Sequence, residues 1–212
     1  MPKNPTRRRP QTVAALLAGA FDAFAERGYH GASIGHICER AGLTTGAFYS
    51  NFATKQDLFL ALYDRVVAER MARFEAHVRH VLKPGGSPGP AAVDDDRERQ
   101  WVMISAEFGL LAMRDATVAE ALAEREAARH QGVGAIFGRI LTSWGRTSDL
   151  PPRDLGRLAL AVHEGLAAQR YTTPGRPPGA YESLEWDVLP TVLRALSVPD
   201  GRQKKSQKKP NT

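Results

Sequence analysis

The sequence predicts an all-α protein. Apolar residues recur at helical spacing along almost the whole chain, and neither strand alternation nor a hairpin dipeptide between apolar runs interrupts them. We expect about nine helices, arranged as an N-terminal three-helix unit followed by a larger C-terminal helical domain. The 212 residues suffice to bury a core. No apolar run approaches the roughly 18 residues that cross a bilayer, so we expect no membrane partner.

Glycines and capping residues set the bounds of the first two helices. Leucine and phenylalanine form one stripe over residues 12–27, and Gly28 ends this helix. Ser33 is the expected N-cap of the second helix, which Gly42 terminates. The two helices are therefore separated by a short turn.

A short third helix and a long fourth helix follow. The third is predicted to start at Thr44 or Thr45 and to end near Phe52. Thr54 with Asp57 predicts a capping box at the start of the fourth helix, which continues to about residue 82. Pro and Gly over 83–92 predict a loop. Further helices are expected near 96–114, 117–128, 130–146, 153–171 and 182–197.

Charge is concentrated at the two ends of the chain. The net charge is +6; residues 1–60 contribute +3, the tail from residue 201 contributes +5, and the middle is mildly acidic. This distribution favours a polyanionic partner at the ends. We divide the chain into a basic flexible arm over 1–10, an N-terminal three-helix domain over 11–55, a helical domain over 56–198 and a basic disordered tail over 199–212. The tail can equally be solubilising.

Nothing in the sequence favours an enzyme or a secreted protein. We find no dinucleotide, P-loop, nucleophile-elbow or HExxH motif, and His77 with His80 forms only a lone HxxH. The single Cys38 excludes an internal disulfide, and an amphipathic helix occupies the place of a signal peptide's apolar region. We expect a cytoplasmic protein without catalytic residues, metal or cofactor.

Helices two and three have the arrangement of a helix-turn-helix, whose second helix enters the major groove of DNA. Phe48 and Phe52 can pack against the first helix, which leaves Thr45, Tyr49 and Ser50 on the opposite face. Gly46 permits a close approach of the backbone near the helix start, where free N–H groups favour a phosphate. Lys55 is placed for a second phosphate.

Residues 31–62, GASIGHICERAGLTTGAFYSNFATKQDLFLAL, resemble the DNA-binding signature of the TetR family of bacterial transcriptional regulators. The resemblance lies in the order of a hydroxyl residue, A-G-hydrophobic, hydroxyl-x-G-x-hydrophobic-Y-x-x-F and a hydroxyl-Lys step. It covers about the first 60 residues. Where the family commonly has a histidine before the phenylalanine, this chain has Asn51, so the amide would have to make that phosphate contact.

The resemblance implies a set of DNA contacts. Ser33, Tyr49, Asn51 and Lys55 are expected mainly on phosphates, and Thr44, Thr45, Gly46 and Ser50 on or near bases. Two of these residues have alternative interpretations: Thr44 as a purely structural cap, and Tyr49 as a half-buried core aromatic. Arg7, Arg8 and Arg9 are expected either to reach the minor groove or to solubilise the chain.

The resemblance also implies that the C-terminal domain binds a ligand and dimerises. Homodimers would pair through the last two long helices, whose stripes can also be core: Leu158, Val162, Leu166, Val188, Leu189, Val192 and Leu193. A small-molecule effector of unknown identity would bind among the middle helices. The candidate lining residues, each with a core alternative, are Trp101, Ile104, Ser105, Phe108, Met113, Phe137 and His163.

The function expected from these features is a dimeric, sequence-specific regulator. It would bind a palindromic operator, most often as a repressor, and a ligand would release it. The alternative is a ligand-independent architectural or non-specific DNA-binding protein, which the basic ends favour. The two differ in sequence preference and in salt dependence.

Overall fold

The computed structural model describes residues 5–81, 94–173, 188 and 190–200, and it is helical almost throughout. Seven helices have defined bounds: α1 Pro5–Gly31, α2 Ile34–Ala41, α3 Thr45–Tyr49, α4 Lys55–Val81, α5 Asp95–Ala112, α6 Ala116–Ser143 and α7 Pro152–Thr172. Residues 188 and 190–195 are helical as well and are labelled α8. The all-α prediction is confirmed.

Three predictions need correction. The predicted break near residue 129 is absent, because α6 continues from Ala116 to Ser143; the described residues form eight helices, close to the nine expected. The sequence offered no strand, yet β1, Arg146–Thr147, pairs antiparallel with β2, Val198–Pro199. Pro199, the first residue of the expected disordered tail, is therefore paired, and residues 201–212 lie outside the described part.

The expected flexible arm over residues 1–10 is also wrong where it is described. α1 begins at Pro5, so Arg7, Arg8 and Arg9 continue the helix toward the N-terminus. Proline is well suited to the first helical position, since its fixed φ fits and its missing N–H has no partner there. Arginine is a good helix former, so three consecutive arginines extend the helix.

The chain divides into two compact units, and the division differs from the expected boundary at residues 55 and 56. The first unit comprises residues 1–69 and 93–123 and the second comprises 70–92 and 124–212, of which only the described residues are discussed. Helix α5 thus belongs to the same unit as α1, α2 and α3. The sequence could not show this, because an apolar stripe indicates that a helix packs against something but not which helix that is.

The core of the first unit is rich in aromatic side chains. Phe21 and Phe24 of α1, Phe59 of α4 and Phe108 of α5 are at most 2% exposed. The rings of Phe59 and Phe108 stack with their centroids 3.6 Å apart. Each such ring buries a large apolar area, so these contacts fix α4 and α5 against α1.

The second unit is built around the apolar stripe of α6. Ile136, Phe137 and Leu141 of this helix form a core with Leu155 and Leu160 of α7. Ser197, just before β2, binds the side chain of Arg146 in β1. Its Oγ accepts from the Arg146 guanidinium at 2.7 Å, and its carbonyl accepts from the same group.

Two glycines allow α6 and α7 to approach closely. A Cβ on Gly134 would lie 1.6 Å from the carbonyl oxygen of Pro152, and one on Gly156 would lie 1.9 Å from that of His130. Glycine normally weakens a helix interior, but here its missing side chain is what permits the backbone contact. This explains why glycines in α6 do not mark a helix end.

A partly buried polar cluster lies on α6 and α7 of the second unit. The guanidinium of Arg129 is 2.6 Å from Glu164 and 3.4 Å from Glu126. Burial lowers the pKa of the neighbouring His130 imidazole below its ordinary value of 6.5, while the Glu126 carboxylate raises it. The charged form of His130 is therefore disfavoured in the folded state.

The Gly134→Ala substitution should destabilise the protein by about 3 kcal/mol, because the added methyl group forces α6 and α7 apart. Gly138→Ala is the matched control: nothing lies within 4 Å of its Cβ position, so it should stabilise the helix by about 0.5 to 1 kcal/mol. Urea unfolding measures both values. Equal effects of the two substitutions would contradict the close approach.

Stability should fall as the pH is lowered through 6.5, the ordinary pKa of histidine. Between that value and the lower folded pKa of His130, the unfolded chain binds more protons than the folded one, so folding is disfavoured. Thermal unfolding at about pH 7.5 and about pH 5.0 should show a smaller drop for His130→Gln than for the unmodified chain. His30→Gln, at an exposed position, should keep the full drop. An unchanged drop in His130→Gln would refute this assignment.

Candidate nucleic-acid interface

Helix α2 begins and ends as its capping residues predict. The Ser33 side chain accepts from the backbone N–H of His36 at 3.1 Å. Gly42 adopts a left-handed conformation with φ 64°, and the N–H of Leu43 donates to the Cys38 carbonyl at 2.9 Å. The left-handed glycine reverses the chain in few residues, so α3 follows directly.

Helix α3 has a buried back and an exposed front. Thr44 is its N-cap and accepts from the N–H of Ala47 at 3.2 Å. Phe48 is completely buried, whereas the next residue, Tyr49, is 61% exposed. Tyr49 is therefore not the half-buried core aromatic that the sequence left open. Four exposed residues form a surface that we call the α3 front: Thr45, Gly46, Tyr49 and Ser50.

The C-terminal end of α3 is closed by its own polar side chains. Ser50 Oγ donates to the Gly46 carbonyl and Asn51 Nδ2 donates to the Ala47 carbonyl, both at 2.8 Å. The Asn51 amide, which the sequence assigned to a phosphate, thus has an N–H committed inside the unit. Its Oδ1 is buried and has no hydrogen-bond partner. Ser50 keeps lone pairs that can accept from a base or a donor on DNA.

Lys55 does not extend outward as a phosphate contact requires. Its Nζ donates to the carbonyls of Tyr29 at 2.6 Å and Ala32 at 2.9 Å, and it lies 4.6 Å from the centre of the Tyr29 ring. Burial lowers the pKa of this ammonium group. Thr54 and Asp57 form the predicted capping box beside it, with Asp57 N–H donating to Thr54 Oγ1 at 3.0 Å.

An ion-pair cluster that the sequence analysis missed joins α1 to α2. Glu26 accepts from Arg40 at 2.7 Å, and its other oxygen is 3.5 Å from His36. His36 is buried, and its Nδ1 has no hydrogen-bond partner. The spacing of residues in the sequence does not predict this cluster, because Glu26 lies on a different helix from its two partners. The cluster helps to fix α2 against α1.

The expected effector-binding residues are distributed over the two units. Trp101, Ile104 and Phe108 are at most 7% exposed and pack in the core of the first unit, while Phe137 belongs to the core of the second. Met113 is 83% exposed. Large apolar residues at helical spacing are more often core than pocket wall, and this is what happens here.

The two polar candidates for the effector site also have partners inside the fold. Ser105 Oγ donates to the Val102 carbonyl at 3.1 Å. His163 Nε2 lies 3.3 Å from a guanidinium nitrogen of Arg70.

Among the described residues, no group of three or more His, Cys, Asp or Glu side chains could hold a metal ion. No helix in the described ranges has the length and apolarity of a membrane span.

The expected dimer residues differ in their exposure. Leu158 is 42% exposed, and Val162, Leu166, Val188 and Val192 are half-buried. Leu193 is 3% exposed and belongs to the core of the second unit, so its side chain is not available to a partner. Leu189 lies outside the described residues.

Helices α1 to α3 together have the geometry of a helix-turn-helix unit. Residues 16–62 match the family model described as "Bacterial regulatory proteins, tetR family". The N-terminal helices of this chain are therefore similar to the DNA-binding segment of TetR-family regulators.

Relatives of this chain include both activators and repressors. The activator FasR of Mycolicibacterium smegmatis is 37% identical over 49% of this chain and 42% of its own length. The repressor AcnR of Corynebacterium glutamicum is 26% identical over 80% of this chain and 87% of its own. The chain spans about half the length of the first curated relatives it matches, such as 47% for a Mycobacterium bovis regulator.

Solved structures show that the fold extends beyond the matched segment. A transcriptional regulator from Rhodococcus sp. Rha1 has a TM-score of 0.59 and 24% identity over 86% of this chain and 96% of its own. At this identity the likeness concerns the fold alone. The C-terminal helices thus share an architecture with TetR-family structures.

Substitutions on the two sides of α3 should differ in their effects on stability. Phe48→Ala should cost about 3 to 5 kcal/mol, because it empties a fully buried ring position. Tyr49→Ala should change stability by less than about 0.5 kcal/mol, because that ring is mostly exposed. Chemical unfolding distinguishes the two. A large loss in Tyr49→Ala would show that the α3 front is part of the core.

Proposed function

We propose that this chain is a sequence-specific DNA-binding regulator that reads duplex DNA with the α3 front. One observation carries the proposal: Phe48 is completely buried while the adjacent Tyr49 is 61% exposed. A five-residue helix with a buried anchor presents its other face rigidly to a partner. Rigid presentation is what base recognition requires, because hydrogen bonds to base edges depend on geometry.

The chemistry of the α3 front suits the major groove. The Thr45 hydroxyl can donate to and accept from base edges, the Ser50 hydroxyl can accept from them because its hydrogen is bound to the Gly46 carbonyl, and the Thr45 methyl can contact a thymine methyl. Gly46 has no side chain, and a Cβ there would meet only the Thr44 hydroxyl at 3.7 Å. The DNA can therefore come close to the backbone at this point. Tyr49 can donate to a phosphate or stack on a sugar.

Lys55 takes a different role in this proposal from the one that the family resemblance implies. Its ammonium group holds two carbonyl groups of the chain, so we assign it to support of the DNA-binding helices. We expect Lys55→Ala to lower both stability and DNA affinity, unlike substitutions of the α3 front.

We further propose that the protein acts as a homodimer on a palindromic operator. One helix-turn-helix offers few base contacts, so two copies are needed for tight binding. Leu158, Val162 and Leu166 recur along α7 and keep exposed apolar surface that a second copy can cover. Half-sites about 34 to 36 Å apart would then place both α3 fronts in successive major grooves.

Ligand release completes the proposed mechanism. A small molecule that binds one conformation better shifts the equilibrium, and a coupling of about 1 to 3 kcal/mol changes operator affinity about 5- to 150-fold. The names of the relatives include a repressor and an activator, so the direction of regulation is a separate question, and repression is our proposal. A protein that binds the bacterial chromosome acts in the cytoplasm, where we expect this one.

Selection of bound duplexes from a random pool tests the proposal. We expect a palindrome to be enriched and to be preferred over random duplex by about 10³-fold or more. Equal binding of all duplexes with a steep salt dependence would instead identify an architectural DNA-binding protein.

Variants of the α3 front should then lose affinity for the selected operator. Tyr49→Ala and Thr45→Ala should each weaken binding about tenfold or more, which corresponds to one lost contact. Thr117→Ala, an exposed threonine of the same unit outside the front, is the matched control and should bind as the unmodified chain does. Fluorescence anisotropy at fixed salt measures the affinities. Operator affinity that survives in both front variants would refute the assignment of α3.

A further inference from the structure

The last residues of α1, after its interruption at Gly28, lead into α2 and determine where α2 begins. We call residues 28–32 the connecting turn. Gly28 interrupts the helix with φ 69° and ψ 168°, and the N–H of Ala32 donates to the Gly28 carbonyl at 3.1 Å. Tyr29 and Ala32 are buried. Ser33, the N-cap of α2, follows immediately, so a displacement of this turn displaces α2.

Side chains from two other helices hold the connecting turn by its backbone. Glu107 of α5 accepts from the N–H of Tyr29 at 2.6 Å. Lys55 of α4 donates to the carbonyls of Tyr29 and Ala32. The anion thus lies at the donor end of the turn and the cation at the acceptor end, which is the favourable arrangement in the field of the peptide dipoles. Hydrogen bonds to charged groups are stronger than neutral ones.

We propose that Glu107 is a positioning residue for DNA recognition: its carboxylate holds the connecting turn and so fixes the orientation of α2 and the α3 front. This inference rests on the function proposed above. Glu107 lies 78 positions from Tyr29 in the sequence, on a helix with no part in the helix-turn-helix. It acts on DNA through the backbone of Tyr29 and not by contact.

The surroundings of Glu107 leave the connecting turn little freedom. A Cβ on Gly28 would lie 2.7 Å from both carboxylate oxygens, so glycine makes room for the acid as well as for the turn. The Tyr29 ring contacts the ring of Phe108, the neighbour of Glu107, with centroids 5.4 Å apart. Helix α5 therefore holds both the backbone and the side chain of Tyr29. A shift of α5 must either move Tyr29 or break these contacts.

The order of elements then gives a route from α5 to DNA. The connecting turn leads into α2 through Ser33, and α2 leads into α3 through the left-handed turn at Gly42. Each step is a short connection with capped ends, which transmits displacement better than a loop. A conformational change that moves α5 would reach the α3 front by this route.

Three substitutions of Glu107 separate the effect of its side-chain length from the effect of its charge. Glu107→Gln keeps an oxygen at the same distance and should retain operator affinity within about threefold, whereas Glu107→Asp keeps the charge but is one methylene too short. Glu107→Asp and Glu107→Ala should each lower affinity for the selected operator about tenfold or more, because the α3 front loses its fixed orientation. Affinity for random duplex should be unchanged. Glu120→Asp, at an exposed glutamate of the same unit, is the matched control and should bind the operator as the unmodified chain does.

Amide hydrogen exchange of Tyr29 provides a readout that a general loss of stability would not imitate. The Tyr29 amide should exchange about tenfold faster in Glu107→Asp than in Glu107→Gln, while core amides of α4 keep their protection. If Glu107→Ala does not fold, the comparison of Glu107→Asp with Glu107→Gln still tests the positioning role of Glu107. Operator affinity and Tyr29 exchange that are the same in Asp, Gln and the unmodified chain would overturn the proposal, as would an equal loss for operator and random duplex.

The same experiments distinguish a failure of this inference from a failure of the proposed function. If the unmodified chain enriches no sequence from the random pool, the proposed function fails, and the role of Glu107 in DNA recognition fails with it. The exchange of the Tyr29 amide still measures the contact itself. If the chain enriches a palindrome and Glu107→Asp binds it normally, only the positioning role is refuted.

Discussion

The burial of Phe48 is the interaction on which the recognition surface depends. A helix of five residues is far too short to form alone in water, since nucleation costs more than so few hydrogen bonds return. α3 exists because its one large apolar side chain is completely buried and because Thr44 caps its first turn. With Phe48 fixed inward, helical geometry directs Tyr49 and Thr45 outward.

Two charged side chains of the first unit, Lys55 and Glu107, bind backbone groups and do not belong to the α3 front. Lys55 and Glu107 direct their charges at backbone groups of the connecting turn, and every side chain of α3 is uncharged. Under the proposed function, discrimination among sequences would depend on hydroxyl and aromatic contacts, whose geometry must be precise because no strong Coulomb attraction compensates for an error. A fixed orientation of α3 therefore matters more here than in a helix rich in arginine.

Local features were predictable from the sequence and long-range features were not. Ser33, Gly42 and Thr44 were assigned correctly because a cap depends on neighbours within four residues. The inward direction of Lys55 was missed because its acceptors lie 23 and 26 positions away. The continuity of α6 across residue 129 was missed, whereas Gly134 was correctly placed inside a helix over 130–146; only the closeness of α7 shows why a glycine stands there.

Helix α5 illustrates the same limit and has a consequence for regulation. From the sequence it belonged to an effector domain beginning at residue 56, yet its Phe108 stacks on Phe59 within the same unit as the helix-turn-helix. One turn of α5 thus contributes a core ring and, at Glu107, the acceptor for the connecting turn. A helix packed in this way cannot change position while the DNA-binding helices keep theirs. Under the proposed function, regulation through α5 would need no separate linkage to the α3 front, because α5 is part of the core on which α3 packs.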